Sequence, residues 1–163
     1  MTLRRGFKTE ANAIAREVRL ELGLQPYDRL DPWQLARHLE IPVVGLCAYD
    51  EDAPFAVTQF QTVDSGAFSA VTVFRGHARV VVHNDSHAPG RQCSNLAHEL
   101  SHALLLHPPT PALNVYGCRD WDKEVEEEAD LLVIGAPHAC YRALVTSKPV
   151  VDIWGLRGSG VRV

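Results

Sequence analysis

The chain has 163 residues, a length that suits one folded domain with a core large enough for a buried helix beside a small sheet. Sixteen Lys and Arg against twenty Asp and Glu give a formal net charge of −4, which does not indicate direct nucleic-acid binding. No apolar stretch reaches the roughly 18 residues of a membrane span, and Met1–Glu10 has charges but no apolar core, so neither a membrane segment nor a secretory signal is expected and the expected compartment is the cytoplasm.

The first helix is expected over about Lys8–Leu22, with Ala11, Ile14, Ala15, Val18 and Leu22 on one face and Gly23 as its stop. Arg4, Arg5 and Lys8 form a local basic group expected to be solvated. A second helix should begin at Asp31-Pro32, an N-cap residue followed by proline at the first helical position. It turns Leu35 and Leu39 inward and ends before Ile41-Pro42. His38 has no partner at metal-ligand spacing and reads as a helix-end or surface residue.

The middle third reads as sheet. Val43–Leu46, Phe55–Gln59, Ala67–Phe74 and Ala78–His83 are rich in β-branched and aromatic residues. Arg75-Gly76 suits a tight hairpin turn, while Asp50–Pro54 and Asp64–Gly66 read as loops. His83 and His87, at and after the end of the last strand, are expected at the surface.

From about Arg91 to Leu106 the apolar residues Leu96, Leu100, Ala103 and Leu104 recur at helical spacing, after a break at Pro89-Gly90 and before a stop at Pro108-Pro109. Another face of this helix carries His98-Glu99-Leu100-Ser101-His102. Two histidines four residues apart stand one turn apart on one face, so both imidazoles can reach a single ion. Glu99, on the flank of that face, can act as base toward a metal-bound water. The four cysteines form no CxxC pair, and Cys93 points away from the histidine pair by helical phase. Where an HExxH helix belongs to a metallopeptidase, the strand beside it often pairs with an extended substrate. Ala78, Arg79, Val80, Val81 and Val82 are the expected residues, through a free edge, with an ordinary core strand as the alternative.

A catalytic zinc site uses three protein ligands and keeps a position for water. The third is sought in Glu124–Asp130. At about 100° per residue, Val125, Ala129, Leu132 and Val133 define a buried stripe. Glu126 lies at one edge of it, with Asp130 one turn further along the same edge. Glu128 borders the other edge and is the runner-up, Glu127 points roughly opposite, and Glu124 points outward. A partly buried carboxylate needs a cation or donors to offset desolvation, so Glu126 is the expected third ligand. Asp130 is expected behind a ligating histidine, accepting its outer N–H, and Asp120 or Asp122 can cap this helix. The order of elements indicates an α+β fold: a small antiparallel-containing sheet packed against helices, with an HExxH helix and a following acidic ligand helix. One domain over residues 1–163 is expected, with N-terminal helices at about 8–40, the sheet at about 41–84, zinc-site helices at about 90–135 and a C-terminal segment at 136–163.

HELSHALLLH followed by EVEEEAD resembles the ImmA/IrrE family of zinc metallopeptidases. RGFKTEANAIAREVRLELGL, DPWQLARHLEIPVV and VVVHNDSHAPGRQCSNLAHELSHALL are also similar to the family's layout, so the resemblance covers most of residues 5–135. By motif position it implies His98 and His102 as zinc histidines, Glu99 as the catalytic glutamate, Glu126 as the third ligand and Asp130 at the family's Asp or Asn position, in a minimal zincin-like, gluzincin-like fold. It also implies a protein substrate, a helix-turn-helix transcriptional repressor. The segment Leu131–Pro137 is shorter than the family's usual continuation. The expected activity is that of a zinc endopeptidase holding one Zn2+ ion, with Glu99 moving the proton from water to the leaving amine. Tyr116, Arg119 and His138 are candidate donors to the transition state. The rival expectation is a non-catalytic, zinc-stabilised antirepressor that displaces a repressor without cutting it. A purely structural zinc domain would need four ligands, and only three are apparent.

Overall fold

The computed structural model describes residues 4–25, 28–108, 123–129, 132–134 and 150–152. The fold is α+β: the described residues include five α-helices and a three-stranded mixed sheet. By its contacts the chain divides into two compact units, Asp31–Pro109 and Met1–Leu30 with Thr110–Val163.

The unit Asp31–Pro109 opens with α2 (Pro32–His38), which follows α1 (Phe7–Glu21) in the chain. Asp31 caps α2 by accepting a hydrogen bond from the Trp33 N–H at 3.0 Å, with Pro32 in the first turn. The sheet consists of β1 (Val43–Gly45), β2 (Ala70–Arg75) and β3 (Ala78–His83), in the order β1-β3-β2. β2 and β3 form an antiparallel hairpin closed by the pair Arg75 and Ala78, so its two-residue turn is Gly76-His77. Gly76 has φ 61°, which a two-residue hairpin turn favours and glycine adopts without a Cβ clash. β1 pairs with β3 in parallel, Val43 opposite Val81 and Gly45 opposite His83.

β3 is covered on both faces. Val82 joins Leu46 and Val57 in a cluster lined by Phe60, Phe68 and Val71. Val81 is 1% exposed and pairs with Thr72, whose side chain meets α4 (Pro89–Leu104), so this face is the helix side. α4 packs on β2, β3 and α2, with Leu96 and Leu100 fully buried. Burial on both faces explains why Val81, Val82 and His83 are all buried in succession rather than alternating.

Several expectations change here. Phe55–Gln59 is not a strand: Pro54–Thr58 form α3, continued by a π-helical turn over Gln59–Val63. Val57 and Phe60, three residues apart, share the face that covers the sheet, while Phe55 is 91% exposed. β2 starts at Ala70 rather than Ala67, because Asn84 holds the preceding loop through hydrogen bonds to the Phe60 and Phe68 carbonyls. His83 and His87 are buried, not at the surface. His83 packs edge-on against Trp33, and a ring nitrogen of His87 lies 2.8 Å from the Ser65 carbonyl. Asp85 lies between them in sequence; a Cβ on Gly45 would sit 2.5 Å from its Oδ2, so this approach needs glycine.

In the other unit, α1 spans Phe7–Glu21. It ends in a Schellman motif on Gly23 (φ 68°), with the Leu24 N–H bonded to the Arg19 carbonyl and the Gly23 N–H to that of Leu20. Arg4 is not simply solvated, as it bonds both Glu10 and Glu128 at 2.7 Å and lies over the Phe7 ring. α5 covers Lys123–Ala129 only. Leu132 and Val133, expected on the buried stripe of a longer helix, belong instead to β4 (Leu132–Ile134), which pairs in parallel with β5 (Val150–Asp152).

Candidate metal centre

α4 carries His98, Glu99 and His102 because its buried stripe, Leu96 and Leu100, faces the sheet and turns the intervening positions aside. All three are half-buried. The loop before the helix is pinned at several points. Gln92 donates to the carbonyls of Asp85 and His87, and Arg91 donates to Ser69. The start of α4 is thereby fixed to the end of β3.

The two histidine rings lie edge to face, 4.8 Å between centroids, with their Nε2 atoms 3.1 Å apart. Two imidazoles on one tetrahedral zinc, at about 2.05 Å each, would hold their nitrogens about 3.3 Å apart. The pair is therefore spaced as two donors to one ion would be, and imidazole nitrogen is a donor type that suits zinc.

Glu99 points toward β2. Its Oε2 accepts a hydrogen bond from the Thr72 hydroxyl at 2.6 Å. His102 has a second close neighbour, since its Nδ1 lies 2.9 Å from Nδ1 of His107, with ring centroids 5.0 Å apart. Neither Thr72 nor His107 is among the residues selected from sequence. For Thr72 the sequence offers only a polar residue within an apolar strand, with nothing to say which face meets the helix. For His107 the signal is only its place just beyond the helix end.

The other expected residues fall as follows. Glu126 is half-buried on α5, in the unit that does not contain α4. The runner-up Glu128 is paired with Arg4, and Glu127 lies 3.6 Å from Lys123. Glu124 is exposed, as expected. Asp130, Tyr116, Arg119, His138, Asp120 and Asp122 lie outside the described residues. Of the edge expected on Ala78, Arg79, Val80, Val81 and Val82, Val81 and Val82 are paired on both sides, whereas the β1 pairing does not extend to Ala78, Arg79 and Val80. β3 is the middle strand, paired to β2 throughout and to β1 from Val81, so β2 is the outer strand on the hairpin side.

At the end of β3, Asp85 has a carboxyl held below its ordinary value. Burial alone would raise it, but hydrogen bonds from Cys47 and Gln61 outweigh that effect. His83 is displaced downward, chiefly because burial disfavours the charged ring.

Residues 56–141 match the family model described as the IrrE N-terminal-like domain, a peptidase family. Comparison with curated proteins and with solved structures gives no match.

Proposed function

The chain belongs to the peptidase family defined by the IrrE N-terminal-like domain, and on that premise we propose that it is a zinc-dependent endopeptidase with Glu99 as its base. The observation that carries this reading is the pair of Nε2 atoms, 3.1 Å apart, on the helix that also holds Glu99. In this reading His98, His102 and Glu126 hold the ion. Two imidazoles and a carboxylate, each half-buried, make a donor set that suits zinc.

Bound zinc supplies Lewis acidity, polarising a peptide carbonyl and making water a stronger acid. Glu99 takes the proton of the attacking water and returns it to the leaving amine. The Thr72 hydroxyl, bonded to Oε2, turns the glutamate toward β2 and leaves Oε1 as the basic atom. In this reading an extended substrate strand adds to β2, an outer strand of the sheet, through main-chain hydrogen bonds. The substrate class follows from the family resemblance: a helix-turn-helix repressor.

Metal analysis of the purified protein is expected to give one zinc per chain, lost in His98→Ala and reduced in Glu126→Ala. Incubation with a helix-turn-helix repressor encoded beside it is expected to yield cleaved repressor. Glu99→Gln should keep zinc and lose cleavage by about 10²–10⁴-fold, the usual contribution of a positioned general base. Retained cleavage by that variant excludes Glu99 as base. Release of intact repressor by the native protein would replace hydrolysis with a binding-only role.

A further inference from the structure

We propose that His107 is a positioning residue that fixes the tautomer and ring orientation of His102; the proposal rests on the reading of His102 as a metal ligand. The two nitrogens of the His102 ring meet different neighbours. Nε2 faces Nε2 of His98 at 3.1 Å, and Nδ1 faces Nδ1 of His107 at 2.9 Å. A ring that gives its Nε2 lone pair to a metal carries its proton on Nδ1. That proton needs an acceptor, and Nδ1 of His107, 2.9 Å away, is placed to accept it when the His107 proton sits on Nε2. His107 is not part of the donor set, because it approaches His102 on the side away from His98.

The backbone is built to hold His107 there. α4 ends in a Schellman motif, in which the His107 N–H bonds the His102 carbonyl at 3.0 Å and the Leu106 N–H bonds that of Ala103 at 3.2 Å. The turn requires a left-handed residue, and Leu106 supplies it at φ 53° while 78% exposed. A leucine in this conformation is disfavoured, and its exposed side chain recovers little by burial. The turn folds the chain back so that position 107 lies over position 102. The strained residue and the ring contact are thus two observations of one arrangement.

The test compares zinc affinity, by chelator competition, in the native protein, His107→Ala, His107→Asn and Leu106→Gly, with His98→Ala as the control for the metal site. His107→Ala is expected to bind zinc about 10–100-fold more weakly, the usual effect of removing an outer partner of a ligating histidine. His107→Asn places an amide oxygen near the lost nitrogen and should recover most of the affinity. Leu106→Gly keeps the turn and should bind as the native protein does. Nitrogen NMR of the zinc-loaded native protein should show His102 protonated at Nδ1, with that proton exchanging faster with solvent in His107→Ala. Native-like affinity and exchange in His107→Ala overturn the proposal while leaving the metal site standing. Failure of the native protein to bind zinc, or unchanged binding in His98→Ala, removes both. Equal weakening in the Ala and Asn variants points to packing rather than hydrogen bonding and also overturns it.

Discussion

At the scale of single residues, the end of β3 shows how burial and charge combine in a small volume. His83 is 6% exposed, against Trp33 and two residues from Asp85. Burial lowers its pKa, so between the unfolded value near 6.5 and the lower folded value the unfolded chain binds the proton more readily. The neutral ring's contribution to stability is present above about pH 6.5 and is lost as pH falls from there through the folded pKa. Replacing His83 with a residue that does not titrate, such as Leu, is expected to flatten the decline in stability between about pH 7.5 and 5. Urea denaturation at several pH values measures this, and parallel curves for the two proteins would refute it. Sequence could not have revealed the effect. A histidine at a strand end looks like a surface residue until α2 is known to cover it.

At the scale of elements, α1, α2 and α4 all end in the same backbone motif, and only α1 uses glycine in it. Glu40 after α2 and Leu106 after α4 have φ of 55° and 53°. Each lies in a pair of hydrogen bonds like those around Gly23. Glycine avoids the clash that an L side chain suffers in this conformation, a cost of roughly 1–2 kcal/mol. Glu40→Gly and Leu106→Gly are therefore expected to stabilise the protein by up to about 1 kcal/mol, after the added freedom of the unfolded chain is subtracted. A rise in melting temperature checks this, and a fall in both variants would show that these side chains have uses beyond the turn. The helix ends illustrate what sequence makes legible. Gly23 and the pair Asp31-Pro32 were readable because one residue type satisfies each local need. The turns at Glu40 and Leu106 were hidden because neither residue type signals a left-handed position. Tertiary packing turned Phe55–Gln59 from an expected strand into helix, since Val57 and Phe60 had a sheet face to cover. The histidine pair was legible because helical periodicity alone brings positions 98 and 102 together. Thr72 and His107 were not, because their contacts depend on which strand lies beneath α4 and on a turn no pattern announces.

At the scale of the whole molecule, the family assignment, the α+β class and the sequence of the motif helix agree with one another. No described helix is long and apolar enough to cross a membrane. If zinc binds the folded chain and not the unfolded one, free ion at 100 times its Kd adds about 2.7 kcal/mol to stability. For a chain of this length a chelator is then expected to lower the melting temperature by on the order of 5–10 °C. Scanning calorimetry with and without chelator reads the shift, and unchanged melting in a protein shown to carry zinc would mean that the ion also binds the unfolded chain.

The parallel pairing of β1 with β3 carries a kinetic consequence. The β2–β3 hairpin closes through a two-residue turn, whereas Val43 reaches Val81 only after a long excursion of chain. Closing the short loop costs far less entropy, so the hairpin is the natural nucleus and β1 docks late. Truncating Val80 should slow refolding, and truncating Val43 should mainly hasten unfolding, in chevron experiments. A Val43 variant whose entire effect fell on the refolding arm would reverse that order.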